Sequence, residues 1–257
     1  MAFLYDISEH PFLQKLKGDK SSTAFPRAAV PGFAFIGLCL LVALGATRTV
    51  DWYSQTLACS VVAPWLDVLA FLVSQLGDPI ITGGVAVVLT LRGWQSRGKP
   101  GLVPLLLFVG VAIEAVLKNV LPHPGPPTEF SHQLTLPSIL HTMTAPFQLH
   151  LKTPYSFPSG HMLRTAFLVG LFCAYRQRWR WVGWVVLGAM AGTRLYLNEH
   201  WLSDVGGGLL LGLSLAAVAV GIVESKSVVA NRDVSQMMTT EASNAILRKS
   251  SQAIEDL

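Results

Sequence analysis

Charge is what this sequence has least of. Only 13% of its 257 residues are Asp, Glu, Lys or Arg, about half the roughly 25% of an ordinary soluble domain. A shortage of that size argues against a soluble fold, which would have to hide Val205–Val223, nineteen residues without a single charge. Cysteine is scarce too. Cys39, Cys59 and Cys173 form no Cys-x-x-Cys pair, so neither a zinc site nor a disulfide framework is supported. No nucleotide-binding glycine loop and no haem motif is present.

What remains is apolar. Half of the chain is hydrophobic (51%) and the mean hydropathy is +0.48, which points to an integral membrane protein. The predicted fold class is all-α: a bundle of six transmembrane helices with one amphipathic helix lying on the surface. The six runs are about Ala28–Ala46, Leu76–Leu91, Gly101–Leu121, His161–Tyr175, Trp181–Leu197 and Leu202–Val223. Trp65–Gln75 reads as the surface helix; an extra span there is the alternative and would reverse every later loop. The organisation that follows is a cytoplasmic segment over 1–27, a bundle over 28–223 and a polar, Ser-rich cytoplasmic tail over 224–257. The first apolar run has no obvious cleavage site close behind it, so it reads as a retained span.

The net charge of +4 comes from short basic clusters and does not call for nucleic acid. Lys15, Lys17, Lys20 and Arg27 precede the first run. Arg92, Arg97 and Lys99 follow the second, and Arg176, Arg178 and Arg180 follow the fourth. Six spans put all three clusters on one face, which the positive-inside rule assigns to the cytoplasm.

The polar residues that are hard to explain then gather on the opposite face. His200 and Asp204 are four apart at the start of a helix, so their side chains share one side. A carboxylate on one imidazole nitrogen fixes the tautomer and leaves the other nitrogen free to attack. Arg194 arrives from the preceding helix with a planar fork suited to two phosphate oxygens. A solvated polar turn is the competing reading of this cluster. Pro158-Ser159-Gly160-His161 precedes another apolar run, where a hydroxyl and free N–H groups at the positive end of a helix favour an anion. His161 in the first turn is placed to give a proton to a leaving oxygen; an N-cap followed by an ordinary interfacial histidine is the alternative.

Together these segments resemble the phosphatidic acid phosphatase type 2 family, whose relatives include vanadium haloperoxidases and glucose-6-phosphatase. The family's Pro-Ser-Gly-His motif stands intact at Pro158–His161. Its Ser-Arg, five residues, His, three residues, Asp motif reads Thr193-Arg194-LYLNE-His200-WLS-Asp204, with only Ser changed to Thr. The first motif departs from the pattern. Lys118 is followed by "NVLPHPGPP", so Gly125-Pro126 stands where Lys, six residues, Arg-Pro is expected.

The resemblance implies a phosphatase that needs no metal and no cofactor and acts through a phosphohistidine. His200, His161 and Asp204 would be catalytic. Lys118, Arg194, Ser159 and Gly160 would hold the phosphoryl oxygens, and Arg164 or His123 would replace the missing arginine. Arg164, three residues after His161, shares its helical face; pairing with Glu114 or turning outward is the competing reading. Glu114 is placed to pair with Lys118 four residues on.

The implied partners are the lipid bilayer and a membrane lipid phosphate or diphosphate. A polyprenyl diphosphate is the first choice, and phosphatidate or phosphatidylglycerophosphate the next. The expected location is the plasma (inner) membrane, with the site on the extracytoplasmic face. A hydrolase or phosphotransferase for soluble phosphate esters and a catalytically silent member are the other readings. The nine-residue recurrence of His123, His132, His141 and His150 suggests no mechanism. Gly188-x-x-x-Gly192 and Gly208-x-x-x-Gly212 are expected to let helices approach closely.

Overall fold

The computed structural model describes residues 24–97, 104–136 and 153–223. Lys15, Lys17, Lys20, Lys99, His141, His150 and the polar tail lie outside the described residues. The described chain is all helical apart from turns and loops. Its α-helices are α1 (Ala24–Ala43), α2 (Arg48–Cys59), α3 (Pro64–Gln75), α4 (Pro79–Arg97), α5 (Leu106–Val120), α6 (Gly160–Tyr175), α7 (Arg180–Tyr196) and α8 (Leu202–Val223).

Helix α6 is the hub. Leu163, Phe167 and Leu171 pack with Phe35 and Val42 of α1, Ala86 of α4, Leu107 of α5 and Leu211 of α8. On its other side Met162 and Ala166 meet Leu187 and Met190 of α7 and Val205 of α8. The outward-facing positions of the bundle remain apolar: Phe33 and Leu40 on α1, Val88 and Leu91 on α4, and Val116 on α5 are all exposed. An exposed belt of this kind suits lipid rather than water.

Lipid offers no hydrophobic drive between helices, so close approach of small residues has to supply the attraction. Here α8 lies backbone to backbone on α6. A Cβ at Gly208 would run into the Ser159 carbonyl, and one at Gly212 into the Leu163 carbonyl. The other glycine pair behaves differently. Gly188 and Gly192 face open space, with nothing within 4 Å of an added Cβ. They sit on the outer side of α7, so the expectation of a tight helix contact there is corrected.

Among the described residues two stretches are long and apolar enough to cross a membrane: Pro64–Leu91 (28 residues) and Leu202–Val223 (22 residues). The latter is about 33 Å long at 1.5 Å per residue, against a hydrocarbon core of about 30 Å. A third exists if Ala29–Ala43 and Arg48–Cys59, bent by 93°, are counted together. Helices α5, α6 and α7 have 15, 16 and 17 residues.

The surface helix is not where the sequence places it. Trp65–Gln75 belongs to the 28-residue apolar stretch with α4, because the break at Leu76-Gly77-Asp78 is absorbed locally. Asp78 caps α4 through its Oδ1, which accepts the Ile80 N–H at 2.8 Å. The helix that turns sharply across the bundle is α2, which the sequence reading left as loop. It buries two polar residues, Asp51 and Gln55. A cavity of about 420 Å³ opens between α6, α7 and α8 around Cys173, Gly183 and Trp184, at the end of the bundle away from His200.

Candidate active site

The turn between α7 and α8 brings Arg194 next to His200. Asn198 takes a left-handed conformation, φ 55°, which asparagine tolerates better than most residues. Its side chain is held on both sides: Nδ2 donates to the Pro127 carbonyl at 2.9 Å, and Oδ1 accepts from Gln55 Nε2 at 2.8 Å. The five residues between Arg194 and His200 are thus used to fold the chain back on itself.

His200 and Asp204 meet as one helical turn allows. The His200 Nδ1 lies 3.2 Å from Asp204 Oδ2, which also accepts the Trp201 N–H at 3.0 Å. An ionised carboxylate only accepts hydrogen bonds, so His200 carries a hydrogen on Nδ1, and in the neutral ring the lone pair is on Nε2. Asp204 is fully buried and ties the two motifs together, since its backbone carbonyl accepts the Ser159 N–H at 2.9 Å.

Arg194 is 1% exposed. One arm, Nη1, is paired with Glu199, while Nε and Nη2 have no hydrogen-bond partner. Ser159 Oγ is likewise buried without a partner. Unpaired guanidinium nitrogens are expensive to bury, and such orphan groups call for an occupant. Arg194, Arg164, His200 and Lys118 all lie close enough to the His161 ring to act on it electrostatically. Groups from α5, α6, α7 and the start of α8 therefore converge on one place.

The first-motif lysine is engaged. Lys118 Nζ lies 2.8 Å from Glu114 Oε1, and the other oxygen of Glu114 lies 3.2 Å from Arg164 Nη1. The Glu114 carboxylate rests against Gly160, where a Cβ would collide with it. Arg164 also donates from Nε to the Gly77 carbonyl at 2.9 Å and has Asp78 as a charge neighbour. Of the two readings of Arg164, its pairing with Glu114 is what the side chain does. Glu114 is the shared counter-ion of both cations and fixes where they point. Gly125 is exposed, and an added Cβ there would meet only Ser156, at 3.7 Å.

His123 lies behind Asp204. Its Nε2 is 3.2 Å from Ser203 Oγ and 3.4 Å from Asp204 Oδ1. Ser203 in turn gives its N–H and its O–H to the two oxygens of Asp51, both at 2.8 Å. The His123 carbonyl accepts from both the N–H and the hydroxyl of Ser156 at 2.9 Å, so this residue also anchors the segment leading into Ser159. Asp51 and Ser203 were missed from sequence; the only signal was an acid and an amide four residues apart in a stretch read as loop.

His132 belongs elsewhere. Its Nε2 is 2.9 Å from Asp67 Oδ1, and Asp67 also accepts the Thr135 N–H at 2.8 Å and the Tyr196 hydroxyl at 2.6 Å. With Trp201 Nε1 donating to the Pro124 carbonyl at 2.7 Å, these bonds seat the loop after α5 on α3, α7 and α8. Among the described residues no group of three or more His, Cys, Asp or Glu is placed to hold a metal ion.

The helix arrangement matches the crystal structure of the first transmembrane PAP2 type phosphatidylglycerolphosphate phosphatase from Bacillus subtilis. The match has a TM-score of 0.62 at 21% sequence identity and covers 77% of this chain and 96% of that one. No curated protein matches the chain. The sequence pattern of the PAP2 superfamily matches residues 101–227, the stretch holding Lys118, His161, Arg194, His200 and Asp204, and the chain belongs to that superfamily.

Proposed function

We propose that this protein is a membrane lipid phosphatase whose reaction runs through a phosphohistidine at His200, without metal or cofactor. One observation carries the reading. Two nitrogens of a buried arginine and the hydroxyl of Ser159 stand unpaired beside the His200–Asp204 pair, an arrangement that fits a phosphoryl group.

The His200 Nε2 lone pair forms a bond to phosphorus as the bond to the lipid oxygen breaks. Asp204 stabilises the imidazolium that results. Arg194, Lys118, Ser159 and the Gly160 N–H take the oxygen charge that shifts during transfer. His161 gives its proton to the departing oxygen. In the second half, water attacks the phosphorus and hands a proton to His161, and the P–N bond breaks to return free His200 and phosphate. Arg164, held by Glu114, contributes positive charge from the far side of His161.

The substrate class is a lipid phosphate or diphosphate, because the site lies at helix ends where headgroups are presented while tails stay in the bilayer. A polyprenyl diphosphate is the first candidate. Phosphatidylglycerophosphate is the second, on the strength of the structural neighbour's stated substrate. The exposed Arg176, Arg178 and Arg180 lie at the other end of the bundle, which supports a site on the extracytoplasmic face by the positive-inside rule.

The test is a panel of labelled lipid and soluble phosphates given to purified protein without divalent metal, beside a His200→Ala control. Phosphate release from the lipids by the wild type alone is expected. Release that survives in the control, or that needs a divalent ion, overturns the mechanism.

A further inference from the structure

The groups behind Asp204 have no part in the chemistry above, yet they are buried and ordered by hydrogen bonds. His123 is 7% exposed and Asp51 2%. Their bonds have a direction that can be worked out. The Ser203 hydroxyl has one hydrogen and spends it on Asp51 Oδ2. Toward His123 it can only accept, so the nearby His123 Nε2 must be the donor. The same nitrogen lies 3.4 Å from Asp204 Oδ1, a buried oxygen that accepts no hydrogen bond. Oδ2 is already occupied by His200 and Trp201.

The geometry points to His123 as a positioning residue: its N–H is fixed on Ser203 by Asp51, which sets the positive edge of the ring 3.4 Å behind Asp204 Oδ1, and that electrostatic contact favours the carboxylate orientation that keeps His200 in its attacking tautomer. This rests on the reading of His200 as the nucleophile. It assigns His123 a role other than binding phosphate in place of the arginine missing at Gly125. Oδ2 already takes the His200 and Trp201 hydrogens, and the His123 edge behind Oδ1 favours the tilt of the carboxylate that keeps Oδ2 on the line of His200 Nδ1–H. A partner behind a carboxylate–histidine pair acts in this way in other sites, where its loss lowers function roughly ten- to a hundredfold.

The experiment compares His123→Leu, which fills the space but has no donor, with His123→Gln, whose amide returns an N–H near Nε2. Three quantities are read: kcat and KM on the lipid phosphate hydrolysed by the wild type, the inhibition constant of inorganic phosphate, and the His200 Nδ1–H resonance in ¹⁵N-histidine-labelled protein, assigned by its loss in His200→Ala. Expected for His123→Leu is a kcat about ten- to a hundredfold lower, with KM and phosphate inhibition within about twofold, and loss of the resonance. His123→Gln should regain most of both. If His123→Leu does not fold, Asp51→Asn serves: it leaves His123 in place and should lower kcat with KM unchanged.

A His123→Leu protein with full kcat overturns the proposal. So does one whose KM and phosphate inhibition constant rise tenfold while kcat holds, since that marks a phosphate ligand. Asp51→Asn with unchanged kcat, or His123→Gln no better than His123→Leu, has the same force. Should the wild type hydrolyse none of the lipids, the functional reading fails on its own, and a His200 Nδ1–H resonance that persists in His123→Leu would separately sink this one.

Discussion

Arg194 shows what a buried cation implies at the scale of a single residue. Its side chain is 1% exposed while its partner Glu199 is 48% exposed in its side chain, so the ion pair faces outward and the two unpaired nitrogens do not. A lysine would keep the charge but lose the planar fork. Arg194→Lys should therefore lower kcat/KM by about a hundredfold or more, the size of effect seen when one preorganised donor to a developing oxyanion is lost, while the protein still folds. Steady-state kinetics on the lipid phosphate would check this; a change below threefold would show that the fork is not used. The meeting of Arg194, His200 and Asp204 was legible because it follows from short spacings: one helical turn for the pair, one tight turn for the arginine. The company of His123 was not. Asp51 is 72 positions away along the chain and Ser203 80, and no local pattern reports contacts at that range.

Helix packing belongs to the next scale. The two small-residue pairs look alike in sequence and differ in the fold. Gly208 and Gly212 lie where α8 touches the backbone of α6, and a methyl group there has nowhere to go. Gly208→Ala or Gly212→Ala should sharply reduce the yield of folded protein. Gly188→Ala or Gly192→Ala should be tolerated and raise the thermal midpoint slightly, since alanine is favoured over glycine inside a helix by about 0.5–1 kcal/mol. Thermal unfolding in detergent distinguishes the two pairs, and equal effects at both would contradict the contacts described. The same scale explains why the surface helix was misplaced. Composition favours Trp65–Gln75 as an amphipathic helix because Asp67 sits near its start, yet Asp67 is consumed by His132, Thr135 and Tyr196. Helix α2 has a buried polar face instead, which periodicity in an apolar window does not detect.

For the whole molecule the question is which residues share an end of the bundle. The loop carrying Glu129 is seated over α2, α7 and α8 near the site, through bonds such as Cys59 Sγ to the Phe130 carbonyl at 3.0 Å and Asn198 to Pro127. At the opposite end lie the exposed Arg178, stacked 5.5 Å over Trp179, and the exposed Trp181 and Trp184, a grouping suited to a membrane interface. In a variant lacking Cys39, Cys59 and Cys173, a single cysteine at Glu129 should react with an impermeant maleimide from outside intact cells. One at Arg178 should react only after lysis. Reaction of both from one side would invalidate the assigned arrangement.

The sequence by itself determined that the chain is helical and apolar, and which residues are the candidates for phosphoryl chemistry. Composition sets the first, and the second rests on spacings within one or two turns of helix. Only the tertiary structure decided that Glu114 is shared between Lys118 and Arg164, that Asp51 and Ser203 stand behind His123, and that one glycine pair is a contact and the other a surface. These depend on which helix faces are turned toward each other, and that is settled by packing across the bundle, where residues far apart in the chain compete for the same few ångströms.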